Sequence, residues 1–271
     1  MRLLTYRSDA GLRVGLVTPD GVAELAETDL NALLALPPGE VERQAGGTRS
    51  DEASLTLGPC VPRPGKIVCV GLNYRRHAEE AGMAVPDQPV LFSKFSNTLA
   101  ASGEDVPLPD VAKLYDYEAE LCVVIGRTAQ RVSEADALEN VWGYCNCNDL
   151  SARDLQFVST QWMLGKTLDR FFPIGPHLVS ADEVGDPQAL SIRSIVNGDV
   201  RQDSNTADMV FGVAELVSYI SRHFTLEPGD VIATGTPQGV AQGRPDKPWL
   251  RAGDEVVVEV GNLGRLSNRM V

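Results

Sequence analysis

From residue 64 onward the chain is a succession of β-type runs: "KIVCVG", "PVLFSKF", "AELCVVIG", "VWGYCNCND", "LSIRSIVNG", "DVIATG" and "DEVVVEV". Turn chemistry such as Asn197-Gly198-Asp199 and Glu227-Pro228-Gly229-Asp230 separates them. Helical character is clearest in "SEADALENV" and "MVFGVAELVSYISRHF", the second with apolar residues at helical spacing. Strands at irregular intervals with so few helices argue against an alternating βαβ parallel sheet. They point to an α+β fold dominated by a mixed β roll or barrel. No tandem repeat of 20 to 50 residues interrupts this pattern.

Before residue 64 the pieces are shorter. "MRLLTYR" and "LRVGLVTPDGVAEL" alternate, with Pro19, Asp20 and Gly21 reading as a hairpin turn, and the polar "PPGEVERQAGGTRSDEA" follows. This is the pattern of a small α+β N-terminal domain. The proline-rich "GPCVPRPGK" can neither continue a helix nor sit in a central strand, so it reads as the linker. The expected division is residues 1–63 and 64–271.

The chain's 271 residues suffice for a sizeable core. Its 24 Lys+Arg against 37 Asp+Glu, a net charge of -13, disfavour nucleic acid and anionic membrane as partners, since both need a basic footprint. No stretch approaches the roughly 18 apolar residues of a spanning helix, and "MRLLTYRSDAG" lacks the features of a signal peptide, so the cytoplasm is the expected location. Cys60, Cys69, Cys122, Cys145 and Cys147 are odd in number and lie in apolar segments, which fits reduced, buried core thiols.

Against this background "YDYEAEL" stands out. Glu118 and Glu120 are two residues apart at the entrance to the apolar "CVVIG", and strand geometry would point both the same way. Neighbouring carboxylates repel unless something positive lies between them. About thirty residues on, Asp149 closes the apolar "WGYCNCND". Three oxygen donors without an imidazole or thiolate pattern describe a site for a hard divalent cation, Mg²⁺ or Mn²⁺, with coordination positions left for substrate. A water-exposed pair at a sheet edge is the alternative reading.

"YDYEAELCVVIG", "NDLSARDLQ", "GKTLDRFFPIGP", "GDVIATGTPQGV" and "KIVCVGLNYRRHAEEAG", taken together and in order, resemble the fumarylacetoacetate hydrolase family over Pro64 to Val271. The resemblance implies a mixed β roll that binds Mg²⁺ or Mn²⁺ through Glu118, Glu120 and Asp149, acts on small 2-oxo acids, and forms a homodimer.

The remaining site residues divide between chemistry and resemblance. In "NYRRHAEEAG", Asn73 reads as an N-cap and Gly82 as a stop, which predicts a short helix with His77 and Glu80 on one face. A histidine oriented by that carboxylate could act as a general base, and Glu79 would face away. A solvated surface helix is the competing account; the resemblance favours a lid carrying a catalytic dyad. It likewise implies that Lys166 supplies a fixed charge beside the metal and that Thr236 holds a substrate carboxylate. Arg153 and Gln156 are either substrate contacts or structural partners of nearby acids. Lys94, in "SKF" where relatives read "SKP", is a further candidate for substrate contact. His177 and His223 fall outside the matching blocks and read as structural or exposed.

Taken with the resemblance, these residues lead to the expectation of a metal-dependent hydrolase that cleaves a carbon–carbon bond in 2,4-dioxo acids of the acylpyruvate or fumarylpyruvate type, using water activated by His77 and Glu80. Oxaloacetate decarboxylation and isomerisation of 2-hydroxyhepta-2,4-diene-1,7-dioate would use the same platform. A small-acid binding protein with a structural cation is the non-enzymatic alternative.

Overall fold

A computed structural model describes residues 1–271, apart from the side chain of Pro38. The N-terminal region forms strands β1 (Arg2–Ser8), β2 (Gly11–Thr18), β3 (Gly21–Leu25) and β4 (Ala45–Ser50), with helices α1 (Leu30–Leu34) and α2 (Pro38–Arg43) between the last two. The predicted turn at Pro19-Asp20 joins β2 to β3, with Thr18 opposite Gly21.

Next come β5 (Ile67–Gly71), α3 (Arg75–Glu80), β6 (Val90–Lys94), β7 (Leu99–Ala100), β8 (Tyr115–Asp116), β9 (Ala119–Ile125), β10 (Val141–Asn148) and β11 (Ser151–Ala152). Two single-turn helices, α4 (Arg153–Gln156) and α5 (Met163–Lys166), lead into β12 (Phe172–Ser180) and α6 (Ala181–Val184). The chain ends with β13 (Ser191–Val196), β14 (Asp199–Asn205), α7 (Val213–His223), β15 (Val231–Ala233), β16 (Glu255–Val260) and β17 (Arg265–Arg269).

The large sheet follows the path β4-β3-β2-β1-β12-β10-β9-β15-β5-β6, with β7 added alongside β12. It is mixed: β15 runs parallel to β5, whereas β9 is antiparallel to both β10 and β15. Strands β4 and β6 end the path without pairing to each other, so the sheet is an open roll and not a closed barrel. Strand β1 joins the N-terminal strands to it, with Arg2 opposite Val179 and Leu3 opposite Leu178 on β12. A second sheet, β14-β13-β16-β17, turns between β13 and β14 on Asn197 (φ 52°) and Gly198 (φ 86°). Two consecutive left-handed residues are what a tight hairpin needs, which explains Asn-Gly at this point.

Both faces of the central strands are covered, so β9 beyond Glu120 reads as an unbroken apolar run. Leu121, Val123 and Ile125 pack towards Val213, Leu216, Val217 and Ile220 of α7, whose spacing gives that helix one apolar stripe. Cys122 and Val124 look the other way, into a layer with Leu3, Val14, Leu30 and Leu33. All five cysteines are free and buried. "SEADALENV" departs from expectation: only Ala137–Asn140 form a 3₁₀ turn, because Ala137 is its single buried residue and no apolar stripe exists to dock a longer helix. Among the described residues no helix is long and apolar enough to cross a membrane.

Candidate active site

The site grows from an interruption in one antiparallel ribbon. Strands β9 and β10 pair as far as Ala119 opposite Asn148, and pairing resumes in β8 and β11 with Asp116 opposite Ser151. Glu118 and Asp149 lie in the gap, where the Asp149 N–H donates to the Glu118 carbonyl at 2.9 Å and the Glu118 N–H donates to Asn148 Oδ1 at 3.0 Å. Glu120 follows one residue inside β9. One ligand atom from each of Glu118, Glu120 and Asp149 falls within 4.8 Å of the others, and all three residues are buried. The exposed-edge alternative is thereby removed.

Three cations surround the cluster. Lys166 Nζ bridges Glu118 Oε2 and Asp149 Oδ2, each at 2.7 Å. Arg153 Nη2 donates to Glu118 Oε1 at 2.5 Å, its Nε to Asp116 Oδ2 at 2.9 Å and its Nη1 to Gln156 Oε1 at 2.9 Å. Burial opposes ionisation of Glu118, but Arg153 and Lys166 outweigh it and hold this carboxyl well below the usual range. Glu120 goes the other way: burial, then Asp149 and Glu118, push it well up, against Lys166 and the Gly235 N–H at 2.8 Å. A pocket of buried oxygen donors that already wraps an ammonium, with one carboxylate short of positive charge, fits a hard divalent cation.

Lys94, a substrate-contact candidate in the sequence, has a fully buried Nζ that donates to Asp149 Oδ1 at 2.5 Å and to the Leu150 carbonyl at 3.0 Å, and it is not among the residues lining the cavity. Thr236 does line the cavity, yet its hydroxyl donates to the Ala119 carbonyl at 2.9 Å and accepts from Gln202 Nε2 at 2.8 Å.

The opposite wall comes from α3. His77 Nδ1 lies 3.4 Å from Glu80 Oε2, the predicted i, i+3 pair, while Glu79 is exposed. Glu80 has a second partner that local sequence did not reveal: the Gly239 N–H donates to its carboxylate at 3.0 and 3.1 Å. Asn73 is not the helix cap, a position taken by Tyr74. It is fully buried, donates to the carbonyls of Phe211 (3.0 Å) and Thr234 (2.8 Å), and accepts from the Phe211 N–H (2.9 Å). Long-range backbone partners outcompeted the local capping role. Asp116 was also missed, although it lies inside "YDYEAEL". Its carboxylate accepts from Arg153 and from the N–H groups of Tyr117, Ala241 and Gln242, tying the loop after Thr236 to the arginine that braces Glu118.

Between the walls is a cavity of about 230 Å³. Of the ten residues singled out in the sequence, all but Lys94 line it. Residues 66–271 match the fumarylacetoacetate (FAA) hydrolase C-terminal family. The chain belongs to the fumarylacetoacetate hydrolase family. It is 47% identical over 218 residues to a fumarylacetoacetate hydrolase domain-containing protein 2 homolog of Dictyostelium discoideum, covering 76% of this chain and 72% of that protein. To a mitochondrial oxaloacetate tautomerase of Xenopus laevis it is 38% identical over 291 aligned positions, covering 100% and 90%. A 5-carboxymethyl-2-hydroxymuconate delta-isomerase from Mycobacterium smegmatis superposes with a TM-score of 0.85 at 34% identity, covering 100% of this chain and 99% of that one. Enzymes of the fumarylacetoacetate hydrolase family generally depend on a divalent metal, and the carboxylate cluster for one is present here.

Proposed function

We propose that this chain is a divalent-metal-dependent enzyme that hydrolyses acylpyruvates, small 2,4-dioxo acids, to pyruvate and a carboxylic acid. The observation that carries the reading is one cavity with a carboxylate cluster on one wall and a histidine–glutamate pair on the other. When bound by Glu118, Glu120 and Asp149, Mg²⁺ or Mn²⁺ would supply Lewis-acid polarisation of a 2-oxo acid. His77 takes a proton from the water that attacks the distal carbonyl, and Glu80 keeps the imidazole facing it. Lys166 meets negative charge at the 2-oxo acid head, with Thr236 beside it, while Arg153, Gln156 and Lys94 hold the carboxylates in place.

A second reading, keto–enol isomerisation of a 2-oxo acid such as oxaloacetate, is favoured by the names of two of the relatives above and needs no attacking water. Pyruvate release from acylpyruvates and enol–keto interconversion of oxaloacetate, measured side by side for wild type and His77→Ala at equal metal content, separate the two. Hydrolysis should fall about a hundred- to ten-thousand-fold in His77→Ala. Unchanged hydrolysis removes the water-activating role. A wild type that releases no pyruvate yet accelerates the interconversion is an isomerase. The proposal includes a homodimer, measurable by sedimentation, and a division of the chain into a small domain 1–63 and a catalytic unit 64–271, with the family match starting at residue 66 in support.

A further inference from the structure

The cavity has two chemically different ends. At the carboxylate end, Arg153 and Lys166 are the basic side chains of the wall among the described residues, and both are bonded into the acidic cluster. The rest of the wall is largely apolar. Phe92 and Trp162 stand edge to face with ring centroids 5.3 Å apart, and Lys166 Nζ lies 5.0 Å from the Phe92 ring, so this aromatic pair begins where the charged cluster stops. Strand β5 accommodates it with Gly71, where a Cβ would stand 2.6 Å from the Trp162 ring. Val240 adds to the wall, and Phe157 and Met83 continue it with 57% and 52% of their surface exposed. A phenylalanine and a methionine half-exposed beside a cavity are apolar surface left uncovered among the described residues.

We propose that this aromatic wall seats the end of the substrate remote from its 2-oxo acid head. The enzyme therefore prefers monocarboxylic 2-oxo acids with an alkyl or aryl tail over dioic acids of the same length. The inference rests on the reading of the head site given above. A terminal carboxylate against Phe92 and Trp162 would lose water and find near it only Lys166, whose ammonium is already taken up by Glu118 and Asp149. Each methylene buried there instead strengthens binding by about fourfold.

The test uses binding, so it does not depend on which reaction follows. Affinities of the Mg²⁺- or Mn²⁺-loaded protein for pyruvate, 2-oxohexanoate and 2-oxoadipate are measured by calorimetry. The expected order is 2-oxohexanoate at least tenfold tighter than pyruvate, with 2-oxoadipate no tighter than pyruvate. Phe157→Arg, at a position with 57% of its surface exposed, should shift the ratio of the two six-carbon acids at least tenfold towards the dicarboxylate. Trp162→Ala should erode the advantage of the apolar acid. Tighter binding of 2-oxoadipate by wild type, or a ratio that neither variant moves, overturns the inference while leaving the head site standing. Failure of pyruvate itself to bind refutes the head site and the tail assignment with it.

Discussion

Gly243→Ala isolates the contact between the α3 wall and the loop after Thr236. A Cβ at this position would fall 2.1 Å from Glu80 Cδ and 2.3 Å from Glu80 Oε2, so the carboxylate must leave its seat. The clash is with the far end of a flexible side chain, and relief by rotation costs the fold little. What the rotation removes is the pair of contacts from the Gly239 N–H, at 3.0 and 3.1 Å, and the orientation of His77. A hydrogen bond to a charged group contributes about 1.5–3 kcal/mol, which corresponds to roughly a ten- to hundredfold effect on the closed, His77-aligned arrangement. The variant should lose about that much kcat/KM while its thermal midpoint and bound metal stay near wild type, and Glu80→Ala should lose a similar amount. The assay is steady-state turnover of the best 2-oxo acid, with metal content and Tm measured on the same preparations. Full activity in Gly243→Ala would refute the idea that this seat positions the dyad. A collapse of Tm would show that the glycine serves the fold instead.

Other consequences can be checked more simply. Glu118→Gln and Asp149→Asn should bind Mg²⁺ or Mn²⁺ more weakly by calorimetry, the second also losing stability because it leaves Lys94 and Lys166 short of a buried partner, and a chelator should abolish wild-type turnover. Lys94→Met breaks a buried pair with Asp149 and should destabilise the protein by about 3–5 kcal/mol in denaturant titration, with millimolar divalent cation restoring part of the loss. Hydrogen exchange across residues 73–82 should slow when oxalate joins the metal-loaded protein, because a six-residue helix such as α3 is marginal without added contacts. All five cysteines should resist a thiol reagent in the native protein and react only on unfolding, since each is buried.

The carboxylate cluster was legible because strand alternation is a local rule: Glu118 and Glu120 share a side whatever lies elsewhere, and Asp149 ends the neighbouring run. The His77–Glu80 pair was legible for the same reason, since i, i+3 adjacency belongs to the helix alone. What escaped depends on distant backbone. Asn73 carries a good cap side chain, but Phe211 and Thr234 offered it better partners. Lys94 reads as a candidate for substrate contact until β6 is seen to bring it onto Asp149. The Gly239 N–H that fixes Glu80, and the three backbone N–H groups on Asp116, have no side-chain signature at all. "SEADALENV" looked helical from its composition, but burial, which decides whether a short helix persists, was not in the string.

The broken ribbon also orders the closure of the chain. The cation pairs that brace Glu118 and Asp149 span 17 to 55 residues, as in Lys166–Asp149 and Lys94–Asp149, whereas the Gly235 N–H on Glu120 is 115 residues away. Pairs that fix the histidine wall span 138 to 161, as in Phe211–Asn73 and Asn73–Thr234. Going from about 40 residues to about 160 is two doublings of loop length, or about 1.2 kcal/mol of extra closure entropy. Glu118 and Asp149 can therefore be braced in a chain whose histidine wall is still open, with Glu120 completing the cluster only when the loop carrying Gly235 arrives. Metal present during refolding should speed recovery of the ribbon without speeding the docking of α3, so the two halves would report different refolding rates from a single sample.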